Sequence, residues 1–131
     1  MKKYFSLSVL ILFLIFSSCK KPGIGGDATI KGYVHVQKWN STFTQFLGQY
    51  EGKDQYVYIV YGDHAGYDKR IKTDYTGRFE FPSLFKGNYK IYTYSRDSSF
   101  ADLSGSVAVV KDIEITKRKE TITIDTLSIF Q

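Results

Sequence analysis

Past residue 27 the apolar positions recur every second residue. Ile30, Val34 and Val36 alternate with Lys31, Tyr33, His35 and Gln37, the period of a half-buried strand. Residues 56–61, YVYIVY, are dense in β-branched and aromatic side chains and stop at Gly62-Asp63. Residues 69–73 run into Asp74-Tyr75-Thr76-Gly77, and residues 78–81 return with Phe79 and Phe81 on one face, which predicts a hairpin. Residues 82–88 read as a loop, and 89–96, 107–116 and 120–129 as further strands. In the last of these the apolar parity shifts from Ile122 and Ile124 to Leu127 and Ile129, predicting a bulge near Asp125. About seven strands with turns between them, and no helical period after residue 27, predict an all-β, Ig-like antiparallel sandwich. Residues 40–54 and 97–105, polar and Gly-bearing, are expected to be mobile loops.

The first 18 residues follow another pattern. Lys2 and Lys3 precede an apolar run over 4–16 broken only by Ser6 and Ser8, and Ser17 and Ser18 stand directly before Cys19. The run is shorter than the ~20 apolar residues of a membrane span, and its layout is that of a cleavable export signal. Phe16-Ser17-Ser18-Cys19 resembles the lipobox of bacterial lipoproteins, with Phe16 where Leu, Val or Ile is usual. The resemblance implies cleavage after residue 18 and lipidation of Cys19. An ordinary buried thiol, or a signal peptide cut elsewhere, are the competing readings.

The expected division is a signal peptide over 1–18, a lipidated cysteine and flexible tether over 19–27 (KKPGIGGD after the cysteine), and a sandwich domain over 28–131. Cys19 is the only cysteine, so no intrachain disulfide is available and the fold must rest on its core. Loss of Lys2 and Lys3 lowers the formal charge from +5 to +3. That charge is mild and scattered apart from Lys117-Arg118-Lys119, and nucleic acid is not an expected partner. Acidic residues after a lipidated cysteine favour surface display in some lineages. Here Lys20 and Lys21 follow, so the periplasmic face of the outer membrane is the expected location.

Residues 73–96 resemble the carboxypeptidase regulatory-like family, which has a transthyretin-like (prealbumin-like) sandwich. The matching positions are Thr73, Asp74, Gly77, Phe79, Phe81, Leu84, Gly87 and Tyr89, and Ile30-Lys31-Gly32-Tyr33-Val34 resembles the family's first strand. The resemblance implies a sandwich over about residues 28–127 and an accessory role beside enzymes or transporters. Gly77 suits a turn needing a positive backbone angle. Leu84-x-x-Gly87-x-Tyr89 looks like a tyrosine corner, whose phenol bonds backbone a few residues upstream. Gly77, Leu84, Gly87 and Tyr89 are therefore expected to be structural.

Catalytic groups are few. His35 and His64 are the only histidines, and no nucleophile elbow, zinc-protease helix motif or phosphate loop occurs. Asp63, His64, Asp68 and Asp74 offer oxygen and imidazole ligands, but their spacing is not that of an EF-hand and Asp is a common turn residue. No enzyme activity, cofactor or metal is expected. Tyr92 and Tyr94 fall on the outer side of their strand if Tyr89, Ile91 and Thr93 point inward, and Tyr58 does so on its own strand. Together the three rings predict an exposed row able to stack on sugars, against a purely sheet-stabilising role. The expected function is that of a membrane-anchored envelope lipoprotein carrying a non-enzymatic interaction or structural module, with an envelope protein or a glycan as partner. Glycan binding through Tyr58, Tyr92 and Tyr94 is the alternative reading.

Overall fold

The computed structural model describes residues 20–131; Cys19 and the segment expected to be an export signal lie outside the described residues. Nine strands follow in order: β1 (Ile24–Trp39), β2 (Phe46–Glu51), β3 (Tyr56–Tyr61), β4 (Lys69–Lys72), β5 (Arg78–Leu84), β6 (Gly87–Arg96), β7 (Ser106–Ile115), β8 (Thr121–Thr123) and β9 (Leu127–Phe130). They form two sheets, one of five strands built around β1 and one ordered β4-β3-β6-β7. The all-β sandwich expected from the alternation is what the chain forms.

Four details differ from the sequence expectation, each for a physical reason. β1 begins at Ile24, so residues 24–27 lie in a strand rather than in the tether, pairing with β5 through an irregular register near Leu84. β2 lies inside the stretch expected to be a loop. It pairs with β1 from His35↔Glu51 to Trp39↔Phe46, yet five of its six residues are exposed, so it has no buried face to write an alternation. The turn between β5 and β6 is reduced to Phe85 and Lys86, because Pro82 sits in β5, exposed. The final segment splits into β8 and β9 where its parity shifts, and both pair with β1 in parallel.

β1 organises its sheet because its two edges serve different partners. The even-numbered Val34 bonds Gly77 and Gly52, on the side of β5 and β2. The odd-numbered Thr29, Lys31, Gln37 and Trp39 bond the segments of β8 and β9. The core between the sheets takes Ala28, Ile30, Val34 and Val36 from β1, Phe79, Phe81 and Leu84 from β5, and Leu127 and Ile129 from β9. Val57, Ile59, Tyr89, Ile91 and Ile115 meet them from the opposite sheet. Buried polar groups on this side are paired: Thr93 Oγ1 donates to the Tyr56 carbonyl (2.8 Å), and Ser95 Oγ accepts from Phe130 N–H across the sheets (2.8 Å).

A fifth difference lies between β4 and β5: β4 pairs with β3 and β5 with β1, so the expected hairpin is instead a turn that crosses from one sheet to the other, and it is closed by Asp74. Its Oδ1 accepts from Thr76 N–H (2.8 Å), the Thr76 hydroxyl (2.6 Å) and Arg78 N–H (3.0 Å). The Thr76 hydroxyl, then Arg78 N–H, hold this carboxyl below its ordinary range. Gly77 follows with φ +79°.

Tyr89 fastens the start of the domain to the β5–β6 turn. Its hydroxyl donates to the Phe85 carbonyl, four residues upstream (2.6 Å), and accepts from Gly23 N–H (2.8 Å). Leu84 is in the core, and Pro22 packs against Gly87, whose φ is +144°. Burial raises the Tyr89 phenol above its ordinary value of 10.0, so the donor is retained at neutral pH. Tyr89→Phe leaves a buried N–H and a carbonyl without their partner. The expected loss is about 1–3 kcal/mol of stability, read as a lower thermal midpoint; an unchanged midpoint would contradict this role.

Candidate functional site: an exposed tyrosine face

The outer surface of the β4-β3-β6-β7 sheet collects the aromatic side chains that the core does not use. Val57 and Ile59 of β3 and Ile91 and Thr93 of β6 are buried, which turns Tyr56 and Tyr58, and Tyr92 and Tyr94, to the other side. Register then sets Tyr58 directly opposite Tyr92. Their rings stack at 4.9 Å between centroids and 8° between planes. Tyr94 meets both edge-on, at 5.6 Å from Tyr58 and 5.7 Å from Tyr92. The structure thus brings together all three tyrosines singled out in the sequence, as a stacked pair with a perpendicular neighbour and not as a flat row.

Two further rings join them. Tyr67, from the loop between β3 and β4, lies edge-on to Tyr58 at 5.0 Å, and Tyr56 lies 6.4 Å from Tyr58. Tyr56 has the parity of Tyr58 and was legible in the strand pattern. Tyr67 was not, because a loop has no period to read. Tyr58 and Tyr92 are half-buried by their neighbours, whereas Tyr56, Tyr67 and Tyr94 are 40%, 49% and 51% exposed. Burial first, then the phenols of Tyr94, Tyr58 and Tyr67, raise Tyr92 above 10.0. The hydroxyl remains a donor at neutral pH. Chemically the face offers ring surface for C–H groups and phenols for hydroxyls.

A second aromatic group, unmarked in the sequence, caps the opposite end of the domain from Gly23. Trp39, Phe43, Phe46, Phe100 and Phe130 pack at centroid distances of 5.4–6.4 Å, and the Arg96 guanidinium lies 4.1 Å over Phe43. Phe46 and Phe100 are the exposed members of this group. The segment after β6, expected to be mobile, is held by Asp97, whose carboxylate accepts from Ser99 N–H, the Ser99 hydroxyl, Ala101 N–H and Asp102 N–H at 2.6–2.8 Å. The Ser99 hydroxyl, then the Asp102 and Ser99 amides, lower its pKa from 3.8 to about 2. A proton therefore binds the unfolded chain more tightly than the folded one. The stabilisation is complete above pH 3.8 and is lost as the pH falls towards 2. Asp97→Asn should flatten the acid limb of the stability–pH curve over that window, measured by denaturant midpoints; an unaltered limb would contradict the assignment.

Other polar clusters lead elsewhere. His64 Nδ1 lies 2.7 Å from Asp68 Oδ1, and Asp68 Oδ2 accepts from Tyr61 N–H (2.7 Å). Asp74 is occupied in its turn, and no group of three His, Cys, Asp or Glu side chains is placed to hold a metal among the described residues. His35 lines a shallow groove with Tyr33, Glu51 and Tyr75 on the other sheet. A cleft of about 910 Å³ near Gly23 is lined by Lys20, Phe85, Lys86, Glu114 and Arg118, among others. Neither hollow includes a ring of the tyrosine face, which is an open surface.

Among solved structures, a protein of Pseudomonas aeruginosa described as a candidate carbohydrate binding protein aligns with a TM-score of 0.52 and 15% identity, over 81% of this chain and 90% of that one. At this identity the likeness shows a shared fold. The major pilin subunit BcpA of Bacillus cereus aligns at 0.44 with 14% identity, and an (S)-allantoin synthase at 0.42 with 11%. Those alignments cover 81% and 82% of this chain but 30% and 43% of the other proteins, so the chain spans less than half their length. No family model matches the chain, and no curated protein matches it.

Proposed function

We propose that this chain is a non-enzymatic glycan-binding module, using the outer tyrosine face as its binding surface. The observation that carries this reading is the convergence of Tyr56, Tyr58, Tyr67, Tyr92 and Tyr94 on one solvent-facing side of a sheet. Rings needed only for sheet stability satisfy that role as one cross-strand pair; the three exposed rings around the pair leave ring surface for a ligand. The fold shared with a candidate carbohydrate binding protein is consistent with it. A glycan array probed with the domain tests the reading: retention of at least one glycan class is expected, and a blank array would retire it.

A second reading, a protein-interaction or structural module, draws on the far end of the domain. Phe46 and Phe100 are exposed there within one cluster of rings, and exposed apolar clusters of this kind mark interaction sites. In both readings we place the chain as a lipoprotein of the cell envelope, anchored through Cys19 on the periplasmic face of the outer membrane. The lipobox-like tetrapeptide and export-signal pattern support this. Lipid chains gain about 0.8 kcal/mol per buried methylene, so two or three hold such a protein firmly. The carboxypeptidase regulatory-like relationship, with its accessory role, is part of the same proposal and rests on the motif from Thr73 to Tyr89.

A further inference from the structure

The tyrosine face is electrically one-sided. Opposed residues on neighbouring strands point to the same side of a sheet, so register fixes what shares the face with the rings. On β4, Arg70 stands opposite Tyr58 and Lys72 opposite Tyr56. On β7, Val110 stands opposite Tyr92 and Ala108 opposite Tyr94. By register, this half of the face carries no carboxylate and, beside Arg70 and Lys72, only Arg96, which stands opposite Ser106 but turns its guanidinium onto Phe43 and the Asn40 carbonyl, leaving two cations beside the rings. The acids of the same face, Asp112 and Glu114, lie towards its other end, where Asp112 is paired with Lys90 at 2.8 Å. Nearby Asp68 is bonded to Tyr61 N–H and His64, and Asp54, beyond the start of β3, lies 3.9 Å from Lys53.

Both cations are held towards the rings. The Arg70 guanidinium is 4.6 Å from the Tyr56 centroid and the Lys72 ammonium 5.1 Å from it. Both residues are exposed, and neither forms an ion pair among the described residues. A guanidinium resting on a ring keeps its N–H edge free, and that edge matches the two oxygens of a carboxylate.

We propose that the tyrosine face selects carboxylate-bearing glycans, with Arg70 and Lys72 receiving the acid group while the adjacent rings stack on the sugar. This rests on the glycan-binding reading and narrows it to uronate- or sialate-containing chains. The test is an array on which each acidic glycan stands beside its carboxyl-reduced counterpart, probed with wild type, R70Q/K72Q and R70K/K72R. Wild type should prefer the acidic member by about tenfold or more, an increment typical of one charge-assisted contact, and the preference should weaken with added salt. R70Q/K72Q should bind both members alike, with its melting temperature near that of wild type, and R70K/K72R should keep part of the preference. Equal binding of both members by wild type would overturn this inference and leave glycan binding standing, as would a preference that survives in R70Q/K72Q. Binding of neither member by wild type would overturn both.

Discussion

Gly77→Ala is expected to remove about 2–5 kcal/mol of stability, a large part of what a domain of this size possesses. Two costs combine. A side chain at φ +79° occupies the left-handed region, at about 1–2 kcal/mol. Its Cβ would also lie 2.5 Å from the Val34 carbonyl oxygen and 3.0 Å from Gly52 N. These atoms cannot yield independently. Val34 N–H donates to the Gly77 carbonyl (2.8 Å) and its own carbonyl accepts from Gly52 N–H (2.8 Å), at the point where β1 exchanges β5 for β2 as its neighbour. Overpacking of this kind adds about 1–3 kcal/mol. Denaturant unfolding should show the midpoint falling with the slope retained; a loss below about 1 kcal/mol, the ordinary effect of a surface change, would contradict the account.

That junction also shows how far the fold could be read in advance. Strands with one buried face declared themselves: Ile30, Val34 and Val36, or Tyr89 and Ile91, alternate because the core takes every second side chain. The Thr-Asp-x-x-Gly turn was legible because Asp74 and Gly77 act locally, through side-chain bonds and backbone freedom, but the hairpin expected of it does not form, because β4 and β5 join different sheets. β2 was not legible, since Phe46 to Glu51 are held by backbone pairing to β1 and bury little. The parallel pairing of β8 and β9 was hidden for a related reason. It depends on which edge of β1 remains free, a property of the whole sheet that no local segment encodes.

The second large effect concerns binding. Replacing Tyr58, Tyr92 and Tyr94 with serine is expected to abolish glycan retention, a fall of about 100-fold or more if each ring contributes as a binding hot spot does. The triple variant should also melt somewhat lower, because the 4.9 Å stacked pair contributes about 0.5–1.5 kcal/mol to the sheet. Tyr94→Ser separates the two roles. That ring is 51% exposed, so its loss should weaken binding with little change in melting temperature. Tyr33 and Tyr75, on the groove of the other sheet, supply the control, and their serine variants should bind as wild type does. Full binding by Tyr94→Ser would move the site elsewhere.

Parity alone pointed to Tyr58, Tyr92 and Tyr94, because outward positions follow once the inward ones are known. It did not reveal that Tyr58 and Tyr92 would stack on each other and leave Tyr56, Tyr67 and Tyr94 as the exposed rings. Nor did it reveal the cluster at the far end, where Phe43 and Phe100 adopt positive φ in two loops that meet only in the folded chain.

The most direct measurement is a titration of tyrosine-ring-labelled protein with a retained glycan, followed by nuclear magnetic resonance. The rings of Tyr56, Tyr58, Tyr67, Tyr92 and Tyr94 should shift together along one binding curve, while Tyr33, Tyr50 and Tyr75 stay in place. Shifts confined to those three, or an unchanged spectrum at saturating glycan, would contradict the tyrosine face as the binding surface.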